Sequence, residues 1–261
     1  MAKTSIKHKR QRQTTKGKVP SIVKWVLLSF VLVIIVSALT YYFTHKGKED
    51  KSFSDAKYSL RGVDLSHHNP IIDWKEIKDK NGISFVYLKA TGGVNHEDRN
   101  YIYNYESAKN ANLKVGSYHF YLFGISGAEQ AKHFIGKMKY QSGDLYPAID
   151  VEHSTDNVFS RDTAFVNLVI SELKVLENEL YEYYGVHPVI YTNRECYKLY
   201  ISTNFKSNMI WMCDLKGELN DVDNWIIWQF SHKGQLNGVV GEIDLNYFRY
   251  SNDEFYKITL P

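Results

Sequence analysis

The stretch YPAIDVEH, residues 146–153, carries two acidic residues two positions apart in an otherwise apolar segment. Such a short apolar run is typical of a buried β-strand. Side chains at positions i and i+2 of a strand point to the same face, so Asp150 and Glu152 share one face while Ile149 and Val151 share the other. Two carboxylates this close repel each other, and a buried carboxylate is costly to ionise. Folding alone does not favour this pattern, so it indicates a chemical role.

Short apolar runs, this one included, predict the strands of one domain that covers residues 58–261. Most are nearly continuous, as expected of strands covered on both faces, and they lie at residues 60–65, 83–90, 115–120, 146–151, 189–192, 210–213, 225–230 and 242–245. Amphipathic segments typical of helices lie at residues 73–79, 100–111, 128–140 and 162–184. This alternation predicts an α/β fold in which parallel strands close into a TIM-like β/α barrel. The helical pattern fades after Tyr200, so we expect the barrel to be irregular there.

The N-terminal part has a different character. Residues 1–24 hold eight Lys or Arg and no acid, and the run Trp25–Phe43 has 19 residues without a charge. A helix needs about 20 apolar residues to cross a bilayer, so residues 25–43 are predicted to be a transmembrane signal anchor with residues 1–24 in the cytoplasm. Residues 44–57 are a polar linker. The alternative is a signal peptide cleaved after Ala38; in both cases the C-terminal domain lies outside the cytoplasm.

The charge and the cysteine content limit the partners, disulfides and metal sites that can be expected. Without residues 1–24, 24 basic residues stand against 29 acidic ones, a formal charge of −5. Nucleic-acid binding needs a basic face, so nucleic acid is not an expected partner. Cys196 and Cys213 are compatible with one disulfide or with two buried free thiols. There is no CxxC or HExxH spacing, so we expect no metal and no cofactor, and a monomer. A divalent cation on the acids near His67 or His68 is the weaker alternative.

Two other acids lie in strand positions similar to that of the Asp150 and Glu152 pair. Asp64 ends the strand in RGVDLS, and Asp244 lies in GEIDLN. Barrel enzymes place catalytic groups at the carboxyl ends of their strands, so we expect the four acids to meet at one mouth. Glycoside hydrolysis is the chemistry best suited to clustered carboxylates, with one acid protonated and others ionised. The 15% share of aromatic residues is consistent with a sugar substrate.

A series of motifs resembles glycoside hydrolase family 25, the Chalaropsis-type lysozymes. They follow one another in family order from about residue 58 to the end: GVDLSH (62–67), FVYLKAT (85–91), VGSYHF (115–120), PAIDVE (147–152), VIYT (189–192), WQ (228–229) and GEIDLN (241–246). The resemblance implies a flattened, irregular barrel. It also implies cleavage of the β-1,4 bond between N-acetylmuramic acid and N-acetylglucosamine in peptidoglycan strands.

The resemblance also implies roles for particular residues. Glu152 matches the general acid, Asp150 its partner carboxylate, and Asp64 and Asp244 the remaining acids of the site. The positions that match the sugar groove are Tyr118, Tyr191, Trp211, Trp228 and Lys89. Two departures affect the groove walls: Gly92-Gly93 stands where the family usually has Glu-Gly, and Trp211-Met-Cys213 where relatives often have Trp-x-Ala.

These residues lead to a mechanistic hypothesis. Glu152 protonates the glycosidic oxygen, with its pKa raised by Asp150 and by burial, while Asp150 stays charged and steers attack by the substrate's own 2-acetamido group. A covalent glycosyl-enzyme intermediate is the less favoured route. The alternative functions are a catalytically inactive, membrane-tethered cell-wall-binding module and a related barrel hydrolase that acts on chitin-like chains.

Overall fold

A computed structural model describes residues 21–45, 52–217 and 219–261, and the chain divides into two units, Met1–Lys48 and Glu49–Pro261. In the first unit the described residues form helix α1, Ser21–His45. Its segment Ile22–Tyr41 has a mean hydropathy of 2.7 and is long and apolar enough to cross a membrane, a test that a signal sequence also passes. Most of the predicted basic segment and part of the predicted linker lie outside the described residues.

The second unit contains a closed barrel of eight strands, which confirms the predicted α/β barrel. Around the barrel the strands follow the order β1, β9, β8, β7, β6, β5, β4, β2, and β2 pairs back onto β1, while the two-residue β3 extends the edge of β2. The strands are β1 Arg61–Leu65, β2 Ile83–Gly92, β3 His96–Glu97, β4 Lys114–Phe120, β5 Ala148–Val151, β6 Val189–Asn193, β7 Ile210–Cys213, β8 Trp225–Gly234 and β9 Ile243–Phe248.

The longer helices of the barrel lie between strands β1 and β6, as the alternating pattern predicts, and two short ones follow later in the chain. They are α2 Trp74–Asn81, α3 Tyr101–Asn110, α4 Gly127–Lys137, α5 Thr163–Tyr184, α6 Arg194–Cys196, which continues into a π-helical turn at Tyr197–Ile201, and α7 Asn252–Tyr256. Two of them begin at an aspartate whose carboxylate accepts a backbone N–H of the first turn: Asp73 accepts from Glu76 in α2 and Asp162 from Phe165 in α5. Such caps fix where a helix begins.

The strands separate two hydrophobic clusters. On β5, the side chains of Ile149 and Val151 point outward and pack in the cluster between the barrel and its helices. Ala148 points into the lumen, where the second cluster lies, and Asp150 follows it on the same face. The outward residues thus hold the strand against the helices, and the inward residues form the lumen and its mouth.

The last strand differs from the all-parallel arrangement that the sequence pattern predicts. β9 runs antiparallel to both of its neighbours, β1 and β8. The carboxyl ends of the parallel strands therefore meet the beginning of β9. Asp244, the second residue of β9, reaches the acid-bearing mouth for this reason and not because it ends a strand.

Two glycines make room for large aromatic side chains in the lumen. A Cβ atom at Gly62 of β1 would lie 2.2 Å from the ring of Phe85, and one at Gly116 of β4 would lie 2.3 Å from the ring of Tyr87. Both rings are fully buried. The lumen below the mouth is therefore filled with side chains, as is usual in barrels of this size.

Close packing of α4 on α5 predicts opposite effects of two glycine substitutions in α4. A Cβ at Gly127 would lie 2.0 Å from the backbone oxygen of Glu172, whereas nothing lies within 4 Å of one at Gly136. Gly127→Ala should lower the free energy of unfolding by about 1–3 kcal/mol through overpacking. Gly136→Ala should raise it by about 0.5–1 kcal/mol because alanine favours a helix. Urea unfolding of the full chain in detergent measures both, and equal effects would contradict the packing argument.

Candidate active site

The four acids singled out in the sequence lie in one pocket at the mouth of the barrel. The pocket has a volume of about 180 Å³. Its lining residues are Asp64, Tyr118, Asp150, Glu152, Tyr191, Trp211, His232 and Asp244. Three of the five residues expected at the sugar groove, Tyr118, Tyr191 and Trp211, thus lie beside the acids.

Strand pairing determines which acids face each other. Asp64 of β1 and Asp244 of β9 are direct partners in an antiparallel pair, so their side chains are neighbours on the inner face. Asp150 of β5 is in register with Tyr191 of β6. Glu152 comes directly after the last residue of β5, two positions beyond Asp150. It is less buried than Asp150.

Two amide side chains hold Asp64. The Nε2 of Gln229 and the Nδ2 of Asn246 donate to the same carboxylate oxygen, Oδ2, over 2.8 Å and 2.7 Å. The Asn246 Oδ1 accepts from Nε1 of Trp211 at 2.7 Å, and the Gln229 Oε1 accepts from the hydroxyl of Tyr191 at 2.8 Å. Because an indole N–H can only donate, it fixes the orientation of the Asn246 amide. The aromatic residues of the pocket therefore also position an acid.

The carboxyl group of Asp150 is buried deeply in the same mouth. Burial raises its pKa well above the usual range, and the nearby charge of Glu152 raises it further. Among the described residues its Oδ1 is buried without a hydrogen-bond partner. A buried polar atom of this kind is costly, and it is commonly kept for a functional partner. Burial thus favours the protonated form of Asp150, and the charged state expected during the reaction stays a prediction.

Burial also raises the pKa of Glu152 and of Asp64. Burial raises the pKa of Glu152, with the charge of Asp244 acting in the same direction and those of His232 and Lys89 opposing it. Burial, followed by the charge of Asp244, raises the pKa of Asp64 well above its usual range. Strongly perturbed carboxyl groups in one cleft are typical of an active site.

Comparison with known proteins matches this geometry to a family. The protein superposes on a family 25 glycosyl hydrolase from Bacillus anthracis with a TM-score of 0.72 and 31% identity, over 82% of this chain and 99% of that one. The match with a lysozyme from Streptomyces coelicolor has a TM-score of 0.71 and 26% identity, over 78% of this chain and 98% of the other. Residues 63–239 match the model of glycosyl hydrolases family 25. The chain belongs to glycosyl hydrolase family 25.

A relative identified by sequence supports the same family. The chain is 29% identical over 194 residues to the autolytic lysozyme of Clostridium acetobutylicum, a match that covers 72% of this chain and 56% of that protein. The chain thus spans little more than half the length of this relative. Membership of family 25 confirms the resemblance seen in the sequence motifs and makes the chain a glycoside hydrolase.

The structure does not bring the remaining two predicted groove residues into the acid pocket of this family 25 barrel. Trp228 precedes the inward Gln229 on β8, and its ring packs 5.9 Å from that of Tyr58, between ring centroids. Its Nε1 donates to the backbone oxygen of Asp214. The Nζ of Lys89 lies 4.5 Å from the centre of the Phe120 ring. Its charge lowers the pKa of both Asp150 and Glu152, although the side chain does not line the pocket.

The family 25 site includes three further residues, which the sequence did not identify as site residues. Gln229 and Asn246 are part of the quoted motifs, but their role as donors to Asp64 requires knowledge of which strands are neighbours. His232 lies beyond the predicted end of its strand, because β8 continues to Gly234. Its Nδ1 lies 3.1 Å from Oδ1 of Asp244, and this hydrogen bond raises the pKa of His232 to about 11.

Two open questions from the sequence concern groups near this site. Cys196 and Cys213 are both buried free thiols, so the disulfide alternative is not realised. His67 is one of the two histidines of the alternative cation site. It is hydrogen-bonded to Asp98, with 2.8 Å between its Nδ1 and Oδ2 of the aspartate.

The raised pKa of Asp150 predicts a pH-dependent stability effect. When the pKa of a carboxyl group is higher in the folded than in the unfolded state, its contribution to the stability of the folded state is fully present below the unfolded pKa of about 3.9. That contribution is lost as the pH rises through the folded pKa. Asp150→Asn should therefore raise the free energy of unfolding by about 1 kcal/mol or more at pH 7, and by much less at pH 3.5.

Urea unfolding at the two pH values measures this difference. The exposed Asp253 of α7 offers a matched control, because Asp253→Asn removes a carboxyl group that is already solvated. A gain for Asp150→Asn that is the same at both pH values, or a loss at pH 7, would contradict the burial argument.

Proposed function

We propose that the protein is an N-acetylmuramidase that cleaves the β-1,4 bond between N-acetylmuramic acid and N-acetylglucosamine in peptidoglycan. The observation that carries this proposal is the meeting of four carboxyl groups in one pocket at the mouth of a family 25 barrel. Lysozymes among the relatives support it. The sugar rings would lie against Tyr118 and the edge of Trp211, which line the same pocket.

Glu152 is proposed as the general acid. It is the less buried member of the pair, so a glycosidic oxygen in the mouth can reach it, and burial raises its pKa in the direction that a general acid requires. It donates this proton to the glycosidic oxygen as the bond from that oxygen to the sugar carbon C1 breaks. Asp244 and His232 flank it and set the local charge.

Asp150 is proposed to assist the substrate's 2-acetamido group. Its unpartnered Oδ1 is an acceptor for the acetamido N–H. Hydrogen bonding stabilises the carboxylate form of an acid, so bound substrate would favour the charged form of Asp150 while Glu152 keeps its proton. The acetamido oxygen then attacks C1, and water opens the resulting ring while Glu152 takes back a proton. A glycosyl adduct trapped on Asp64, Asp150 or Asp244 would replace this route with a covalent one.

Product analysis tests the activity directly. Purified peptidoglycan is digested with the full chain in detergent, and the new reducing ends are identified by mass spectrometry. N-acetylmuramic acid at the reducing end is the expected product. N-acetylglucosamine at that end would instead indicate the chitin-like specificity, and retention of the glycan without cleavage would indicate a binding module.

The same assay tests the role of Glu152. Glu152→Gln keeps the shape of the side chain but removes the acidic proton, so turnover should fall by about 100-fold or more. Glu179→Gln on the exposed face of α5 is the matched control and should keep wild-type turnover. Glycan cleavage by Glu152→Gln within a few-fold of wild type would remove Glu152 from this role.

We also propose that α1 anchors the domain in a membrane. The segment Ile22–Tyr41 meets the length and composition required, and basic residues precede it in the sequence. The full chain expressed in bacteria should sediment with membranes at its full mass and be digested by protease added outside the cytoplasmic membrane. A shortened soluble form that begins after Ala38 would show a cleaved signal peptide instead.

A further inference from the structure

A thiol, an imidazole and a carboxylate form a chain of contacts at the barrel mouth, outside the proposed acid and assisting pair. The Sγ of Cys213 lies 3.4 Å from Nε2 of His232. The Nδ1 of the same imidazole lies 3.1 Å from Oδ1 of Asp244. Activated thiols in proteins are arranged in this order, with an imidazole between the sulfur and an orienting carboxylate.

The position of Cys213 allows a small molecule to reach it. Cys213 is the last residue of β7 and faces inward above Trp211. It lines a surface cavity of about 990 Å³ that is separate from the acid pocket, and His232 lines both. Its exposed fraction is 8%, whereas that of Cys196 is 0%. The two thiols of this chain thus differ in access and in surroundings.

The imidazole of His232 opposes the effect of burial on the Cys213 thiol. The hydrogen bonds to Asp244 and to Cys213 raise the pKa of His232 to about 11, which favours the positively charged imidazolium. Burial raises the pKa of the Cys213 thiol, and the charge of His232 opposes this rise. A neighbouring imidazolium stabilises a thiolate, which is the nucleophilic form.

We propose that Cys213 is a modification site that forms a mixed disulfide with low-molecular-weight disulfides and thereby blocks the proposed glycan cleavage. The thiolate attacks one sulfur of the disulfide RSSR, the S–S bond breaks, and the other half leaves as RS⁻ and takes a proton. The protein thiol is oxidised and the leaving half is reduced, so no further oxidant is needed. A thiol as reductant reverses the reaction.

The expected loss of glycan cleavage follows from the position of the added group. Cys213 is in register with Gln229 of β8, whose amide holds Asp64. A group attached to Sγ would extend into the cavity that Cys213 and His232 line, beside the acid pocket that His232 also lines, and would separate the sulfur from His232. The effect on turnover rests on the proposed function, whereas formation of the adduct does not.

Oxidised glutathione serves as the probe on the full chain in detergent. Mass spectrometry of the native protein should find one glutathione per chain, located on the peptide with Cys213 and not on that with Cys196. After unfolding in urea both cysteines should react. The adduct should lower glycan cleavage at least tenfold, and dithiothreitol should restore it.

Three variants make the test specific. Cys213→Ala should keep the untreated activity and lose the response to oxidised glutathione, whereas Cys196→Ala should respond as the wild type does. His232→Gln keeps a polar side chain without the charge, so labelling of Cys213 should slow about tenfold or more, as expected when thiolate is lost.

Several results would overturn the inference: no adduct at Cys213 in the folded protein, equal labelling of Cys196, or full activity of the adduct. Labelling of His232→Gln at the wild-type rate would remove the imidazole from the proposal. A protein that forms the adduct but never cleaves glycan would refute the proposed function and leave the modification site intact.

Discussion

The site depends on the pairing of β9 with β1 on one side and with β8 on the other. This antiparallel strand closes the barrel, and its inward positions supply Asp244 beside the acids and Asn246 beneath Asp64. Had the last strand been parallel, its beginning would lie at the opposite end of the barrel and both side chains would be lost from the mouth. The antiparallel direction of β9 thus both closes the barrel and completes the pocket.

The second constraint is the loss of hydration when the carboxyl groups of the site are buried, which disfavours folding. Burial is the largest cause of the raised pKa of Asp64, of Asp150 and of Glu152. The barrel offsets part of this cost with the two amide donors to Asp64 and with the positive charges of Lys89 and His232. The buried oxygen of Asp150 has no hydrogen-bond partner among the described residues, and this part of the cost is not offset by them. Such local costs are common where activity and stability conflict.

Much of the fold was predictable from the sequence, because apolar runs and helical periodicity report local burial. The alternation around Ile149 and Val151 gives the correct inward face of β5, and the motifs give the family. The direction of β9 was not predictable in this way, since a four-residue apolar pattern is the same in both directions. The inward role of Gln229, the outward direction of Trp228 and the partnership of His232 with Asp244 all depend on register and on strand ends, which periodicity does not determine.

The aromatic filling of the lumen has a consequence for a polymer. Phe85 and Tyr87, which occupy the space left by Gly62 and Gly116, give the acid pocket a solid base. Under the proposed function, a long glycan strand would therefore lie across the opening with both of its ends outside the barrel. Cleavage in this arrangement would require no free chain end, so an internal linkage would be as accessible as a terminal one.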